Sequence, residues 1–258
     1  MRSGVQVWPV LTVHFSNHTG YGAWRGPLLS ADDVFEVITG IDERGVLGEV
    51  DAVLSGYQGA ADVGAQILAA YDLVRQRNLD AIYCCDPVIG DVDRGVYVRP
   101  GIGEFMRDSV VPRANIVTPN HFELDYLCGT ATKTMSAVVD AANQLRKVGP
   151  EVVLVTSVQL ADSNPDTLTM IVVDADGAWR VETPLIGRNF TGSGDLTAAL
   201  FLANYLASNH TSQAMQKTTD SVYSLLKFTA DTDSRELALV EGQAEIVNPS
   251  YHFEVERI

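Results

Sequence analysis

Apolar positions along the chain alternate between two periods. Short runs rich in β-branched and apolar residues, at 8–14 (WPVLTVH), 51–55 (DAVLS), 81–85 (AIYCC), 115–117 and 152–156, read as strands. Between them lie longer stretches with helical spacing. A helix over 31–44 follows the N-cap candidate Ser30. A second, over 58–77, sets Val63, Ile67, Ala70, Tyr71 and Val74 on one face. Further helices are predicted over 102–111, 123–127, 135–148, 194–207 and 212–229. Residues 168–173 and 179–182 flank Ala175-Asp176-Gly177, a hairpin signature. A polar helix near 235–241 and a short tail complete the pattern.

Strand–helix alternation of this kind predicts an α/β fold, with a mainly parallel sheet covered by helices. No linker, repeat or charge block divides the chain, so residues 1–258 read as one domain. In such folds the ligand site lies at the carboxyl ends of the strands, which directs attention to the loops that follow them.

Composition narrows the function. Eighteen basic residues face 33 acidic ones, for a formal net charge of −15. That balance disfavours a general nucleic-acid binder or a polybasic membrane ligand. An anionic substrate would have to be held by a local cationic pocket, by a metal, or by backbone amides. No apolar run approaches the ~18 residues of a membrane span, and residues 1–15 lack the pattern of an export signal. Cys84, Cys85 and Cys128 form neither a disulfide framework nor a metal knuckle. The expectation is a soluble cytoplasmic protein.

Five loops carry candidate chemistry. Thr191-Gly192-Ser193-Gly194-Asp195 opens the helix at 194–207. Its glycines let the backbone aim N–H groups at one spot by the positive helix end, where a phosphate needs no lysine. Asp195 would stand beside that anion, an odd place for a carboxylate unless it does chemistry; otherwise the motif is a glycine-rich cap. Cys85-Asp86-Pro87-Val88-Ile89-Gly90-Asp91 ends an apolar strand and turns carboxylates toward the crevice, either for Mg²⁺ or simply as a turn. In Thr118-Pro119-Asn120-His121-Phe122-Glu123, Asn120 and Glu123 share a helix face and could serve Mg²⁺ or phosphates, or form a capping box. The loop from His14 to Tyr21 suits a small polar aromatic ring, with His14 and His18 favoured for loop hydrogen bonds over metal. Tyr57, in Ser55-Gly56-Tyr57, could stack on such a ring. No P-loop, Rossmann fingerprint or nucleophile elbow is present, and Cys84 and Cys85 read as core filler.

Taken in order, FSNHTGY (15–21), LSGY (54–57), CDPVIGD (85–91), TPNHFE (118–123), VTS (155–157) and TGSGD (191–195) resemble the pyridoxal kinases of the ribokinase-like superfamily. The FSNHTGY segment separates this family from the related hydroxymethylpyrimidine kinases. The resemblance implies a three-layer ribokinase-like sandwich and ATP-dependent phosphorylation of the 5′-hydroxymethyl group of pyridoxal. It implies Asp195 as base and Gly192, Ser193 and Gly194 as the anion hole. Phe15, His18, Thr19 and Tyr57 would line the ring pocket. Asp86, Asp91, Tyr97, Asn120, Glu123, Thr156, Ser157 and Thr191 would serve ATP, with Asp91 and Glu123 on the metal. Mg²⁺, a monovalent cation such as K⁺, and a homodimer complete what the family implies. Such chemistry is mostly positioning and charge stabilisation.

There is one departure. The family opens with a strand and helix, whose strand end gives the pyridine ring a Ser. Met1-Arg2-Ser3-Gly4 corresponds to the tail of that helix, which leaves this chain short of the unit by roughly 25–30 residues. Two expectations follow: a start codon set too late, which the intact motifs favour, or a truncated and inactive form. The alternatives are a related small-ring kinase, and a vitamin B6-binding protein that has lost turnover.

Overall fold

A computed structural model describes residues 2–27 and 29–258. Strands β1 (Ala52–Ser55), β2 (Ile82–Cys85), β5 (Ile116–Val117) and β6 (Val152–Val158) pair in parallel. β7 (Thr167–Asp174), β8 (Gly177–Pro184) and β9 (Val255–Arg257) continue the same sheet in antiparallel fashion, in the order β1-β2-β5-β6-β7-β8-β9. A two-stranded ribbon of β3 (Gly90–Asp91) and β4 (Gly95–Val96) stands apart from it.

The strands alternate because successive side chains point to opposite faces, and both faces are covered. Tyr83, Cys85, Val153, Val155 and Ile171 join one core cluster; Cys84, Leu154, Val172 and Val181 join the other. The first is roofed by α2 (Ala61–Arg77), α3 (Ile102–Phe105), α4 (His121–Cys128) and α5 (Met135–Arg146), with Val34 of α1 (Ala31–Asp42) joining it. The second is covered by α6 (Ser193–Ser208) and α7 (Thr211–Asp231), through Phe201, Leu202, Ala214 and Met215. This is the three-layer α/β sandwich expected, with a mixed sheet whose parallel half carries the loops of interest. All five residues assigned to the apolar face of the second helix are buried. Cys84 and Cys85 are fully buried filler, and burial pushes the Cys85 thiol up to about 12.

Most boundaries differ from expectation by one to three residues. Three elements differ in kind. Residues 8–14 form no strand: they run irregularly, with Trp8 and Val10 packed on the body and Thr12 Oγ1 donating to the Tyr57 carbonyl (2.6 Å). A strand exists only where a neighbour completes its ladder, and the recorded ladder of β1 is with β2 alone. Residues 235–241 form bends and turns, and the short α8 (Gln243–Val247) comes later. The tail becomes β9, because β8 offers it an edge. Residues 2–4 form a turn, and Met1 of the expected helix tail lies outside the described residues.

Candidate active site

The parallel strands deliver their loops to one crevice. β2 ends at Cys85, so Asp86 begins the loop there; β5 ends at Val117 and leads into Thr118 and Asn120. The turn before α6 closes the crevice from the other side. Gly192 adopts φ +86° as the N-cap of α6, a left-handed conformation that glycine takes without the Cβ penalty. A Cβ on Gly56 would lie 3.5 Å from Asp195 Oδ1, and one on Gly194 would lie 4.0 Å from Asp86 Oδ2. The loops after β1, β2 and β8 therefore meet around two carboxylates.

Three acidic residues share this crevice. Asp86 and Glu123 are buried, whereas Asp195 opens to solvent. Burial first, and the charge of Asp195 second, push Asp86 up to about 7, against a hydrogen bond from Thr118 Oγ1 (3.1 Å). Burial, reinforced by Asp86, pushes Glu123 up to about 8. Backbone N–H groups offset part of this: Ile89 (2.9 Å) donates to Oε1 of Glu123 and Asn120 (2.9 Å) to Oε2. Asp195 is also raised, by the protein crowded around it, with nearby His18 acting in the opposite sense. Burial of carboxylates, reinforced by like charge between neighbours, disfavours their ionisation, and such shifts cluster where a site binds a ligand or does chemistry.

Asn120 and Glu123 do form the capping box considered from the sequence. Asn120 Oδ1 accepts from the Glu123 N–H (2.9 Å), and Asn120 Nδ2 donates to the Gly90 carbonyl (2.8 Å). Asp91 is held by Arg94, whose Nε and backbone N–H each donate at 2.8 Å. Burial opposes ionisation there, but these bonds keep the Asp91 carboxyl below its ordinary value. Asp91 and Glu123 thus do not form a free ligand pair. Among the described residues no group of three or more His, Cys, Asp or Glu side chains is arranged to hold a metal ion. Tyr97 lies beside Arg94, with the guanidinium 4.3 Å from its ring centre.

On the ring side, Phe15 packs at a tilt of 34° against Trp24, with ring centres 3.9 Å apart. His18 caps a short turn, its Nδ1 accepting from the Gly20 N–H (3.0 Å), so it serves loop geometry as expected. The loop closes on itself through Ser16 N–H to Arg25 O (2.7 Å) and Asn17 Nδ2 to Ala23 O (2.9 Å). Gly26 is obligatory for this closure, since a Cβ there would fall 1.8 Å from the His14 carbonyl oxygen. Thr19 is exposed, and Tyr57 is half-buried against the core.

A cavity of about 110 Å³ opens on the far side of the glycine turn. Thr156, Ser157, Ser193 and Gly194 form its polar end; Leu168, Met170, Val181, Val222 and Leu226 form an apolar wall. Ser157 sits at φ +55° where β6 bulges away from β7. Ser193 gives its hydroxyl (2.9 Å) and its N–H (3.3 Å) to the Phe190 carbonyl and so shapes the turn. Thr191 is exposed at its start.

Several of these residues escaped sequence reasoning. Trp24, Arg94 and Thr118 lie within or beside the motifs and could have been read as partners of Phe15, Asp91 and Asp86. The apolar wall could not, because β7, β8 and α7 contribute one or two residues each, spaced as ordinary core.

Comparison with known proteins agrees with this geometry. The phosphomethylpyrimidine kinase family model matches residues 41–238. A pyridoxal kinase PdxY from Leifsonia xyli subsp. xyli is 49% identical over 257 residues, covering 100% of this chain and 91% of its own. One from Rubrobacter xylanophilus is 48% identical, covering 100% of this chain and 89% of its own. The pyridoxal kinase of Leishmania donovani, solved in complex with ADP and pyridoxine, superposes with a TM-score of 0.91 at 26% identity, over 100% of this chain and 90% of that one. On this identity, maintained along the whole chain, the protein belongs to the pyridoxal kinase family.

Proposed function

We propose that this protein transfers the γ-phosphoryl group of ATP to the 5′-hydroxymethyl group of pyridoxal, giving pyridoxal 5′-phosphate and ADP. The observation that carries the reading is the position of Asp195. It sits in the first turn of α6, beside Gly56 on the loop after β1 and within the field of His18, with the cavity bounded by Gly194 and Ser157 behind it. A ring held by Phe15, His18, Thr19 and Tyr57 would present its hydroxymethyl group to Asp195, and a nucleotide whose base reaches into the cavity would present its terminal phosphate to the glycine turn.

Asp195 Oδ1 orients the attacking hydroxyl and receives its proton as the new P–O bond forms. A carboxylate whose pKa is raised by its surroundings is better matched to this task than a free one. The backbone of Gly192, Ser193 and Gly194, at the positive end of α6, faces charge that develops on the transferring group. The apolar wall of Leu168, Met170, Val222 and Leu226 suits an adenine ring, with Thr156 and Ser157 at its polar end. Thr191, Asn120 and Tyr97 complete the nucleotide side.

Buried carboxylates at the crevice fit Mg²⁺, which is held by one or two carboxylates together with substrate phosphates. Asp86 and Glu123 are the residues that would hold it, directly or through water; Asp91 is engaged by Arg94 and belongs to the supporting ribbon. Bound there, Mg²⁺ would neutralise charge on the phosphates. We assign no residues to a monovalent cation. A homodimer in the cytoplasm remains part of the reading; no described helix is long and apolar enough to cross a membrane.

The test is a substrate panel with ATP and Mg²⁺, in which product is identified by mass. Pyridoxal 5′-phosphate is expected. Phosphorylation of hydroxymethylpyrimidine in preference to pyridoxal would transfer the chain to the related kinases. Binding of pyridoxal without turnover would make it a carrier.

A further inference from the structure

The segment after α7, where the sequence predicts a helix, instead forms bends and turns and touches two loops of the site. Toward the glycine turn, Arg188 donates to the Ser234 carbonyl and lies 3.8 Å from the Asp233 carboxylate. Leu237 reaches Gly192, where a Cβ would lie 3.5 Å from Leu237 Cδ1. Toward the ring loop, the Arg235 guanidinium sits 4.0 Å above the centre of the Tyr21 ring, and the Tyr21 hydroxyl donates to Glu236 Oε1. The segment has a fixed base: the Ala238 N–H donates to Thr229 Oγ1 of α7 (3.1 Å), in a buried setting.

Tyr21 belongs to the loop that carries Phe15, His18 and Trp24. Among the described residues, the other recorded hydrogen bonds of residues 16–25 run within that loop. Among the described residues, the recorded hydrogen bond from this tip to the body is therefore that of Tyr21, whose ring is gripped by two adjacent side chains of opposite charge. The two contacts differ in kind. A cation over a ring face resists lateral sliding weakly, whereas a hydroxyl on a carboxylate fixes direction. Together they hold the ring loop at a set distance from Gly192, the residue that opens the phosphoryl turn.

We propose that Arg235 and Glu236 are positioning residues, which clamp Tyr21 and thereby hold the ring-binding loop closed beside the phosphoryl turn. The inference rests on the kinase reading and deepens it by assigning the control of ring-substrate affinity to a segment outside the recognised motifs. Neither residue touches substrate; both act through Tyr21.

Kinetics and proteolysis test this together. Glu236→Ala should raise KM for pyridoxal about five- to tenfold, the range of one net hydrogen bond at an exposed, solvent-screened site. Arg235→Ala should raise it about two- to fivefold, as an exposed cation–π contact allows. KM for ATP should stay within about twofold, since its wall lies on β7, β8 and α7. Glu236→Gln keeps an oxygen for the Tyr21 hydroxyl and should restore most of the affinity. Tyr21→Phe should match Glu236→Ala, and the double variant should be no worse than either alone. Independently of substrate, trypsin should cut after Arg25 faster in Glu236→Ala than in the parent, read from the amino-terminal fragment by mass. Unchanged KM for pyridoxal together with unchanged cleavage overturns the clamp. So does an equal rise in both KM values with Glu236→Gln no better than Glu236→Ala, which would mark general loosening. A parent protein that makes no pyridoxal 5′-phosphate instead overturns the kinase reading, and cleavage at Arg25 then decides the clamp alone.

Discussion

Glu123 offers the sharpest test of the crowded crevice, through the substitution Glu123→Gln in protein free of metal and nucleotide. The side chain is 3% exposed, and its carboxyl rises from an ordinary 4.5 to about 8. Between those values the folded protein keeps a proton that the unfolded chain has lost. Because the folded pKa is the higher one, stability is greatest below the unfolded value and falls as pH rises toward the folded one. The slope is on the order of 1 kcal/mol per pH unit for one proton, so from about pH 5.5 to 7.5 Glu123 can remove roughly 2–3 kcal/mol. Glutamine carries no such slope. It does place an amide N–H₂ or leave a gap where Oε2 accepted from the Asn120 N–H (2.9 Å). That unmet donor costs about 1–2 kcal/mol at any pH. The two effects oppose each other, so the variant should be the less stable protein near pH 5.5 and the more stable one near pH 7.5. Urea unfolding at several pH values reads the difference directly. A variant destabilised by the same amount across the range would refute the reasoning, because it would mean Glu123 ionises normally in the fold.

Three further outcomes follow from the same geometry. Asp195→Ala should cut turnover about 10²–10⁴-fold, the usual worth of a positioned general base, while ADP binding by calorimetry stays near the parent value; normal turnover would remove Asp195 from its role. Gly90→Ala should cost about 1–3 kcal/mol in urea melts, since its Cβ would fall 2.4 Å from the Gly95 carbonyl oxygen and 2.6 Å from the Phe122 ring. The Gly95 carbonyl cannot move without opening the ribbon that holds Asp91. Ser30→Ala, remote from the crevice, should cost about 1 kcal/mol by removing the α1 capping box and should leave KM for pyridoxal unchanged.

The order of motifs along the chain was enough to read the family, and periodicity was enough to read the sandwich. The strand at 81–85, the hairpin about Asp176 and the helix behind Ser30 are local patterns with local causes: alternation, a turn dipeptide, a cap. The failures are equally physical. WPVLTVH carries the apolar pattern of a strand, yet a strand is a property of two segments, and among the described residues this one has no ladder partner. The stretch at 235–241 has helix-forming residues, but contacts of Arg235, Glu236 and Leu237 with two other loops hold it in turns. Conversely, the tail carries little signal of its own and becomes β9 because β8 presents an edge, with Val181 opposite Val255.

The candidate site divides in the same way. Each motif could be read alone as a cap, a turn or a rim, and several are: Asn120 and Glu123 do cap α4. Residue identities and their order named the chemistry, because those side chains and glycine turns lie contiguous in sequence. Their mutual effects were not contiguous. The raised pKa values of Asp86 and Glu123, the pairing of Asp91 with Arg94, the apolar wall drawn from β7, β8 and α7, and the grip on Tyr21 are all interactions across space. They depend on desolvation and on distances of a few ångströms between segments far apart in the chain, and only the folded packing of strands and helices sets those.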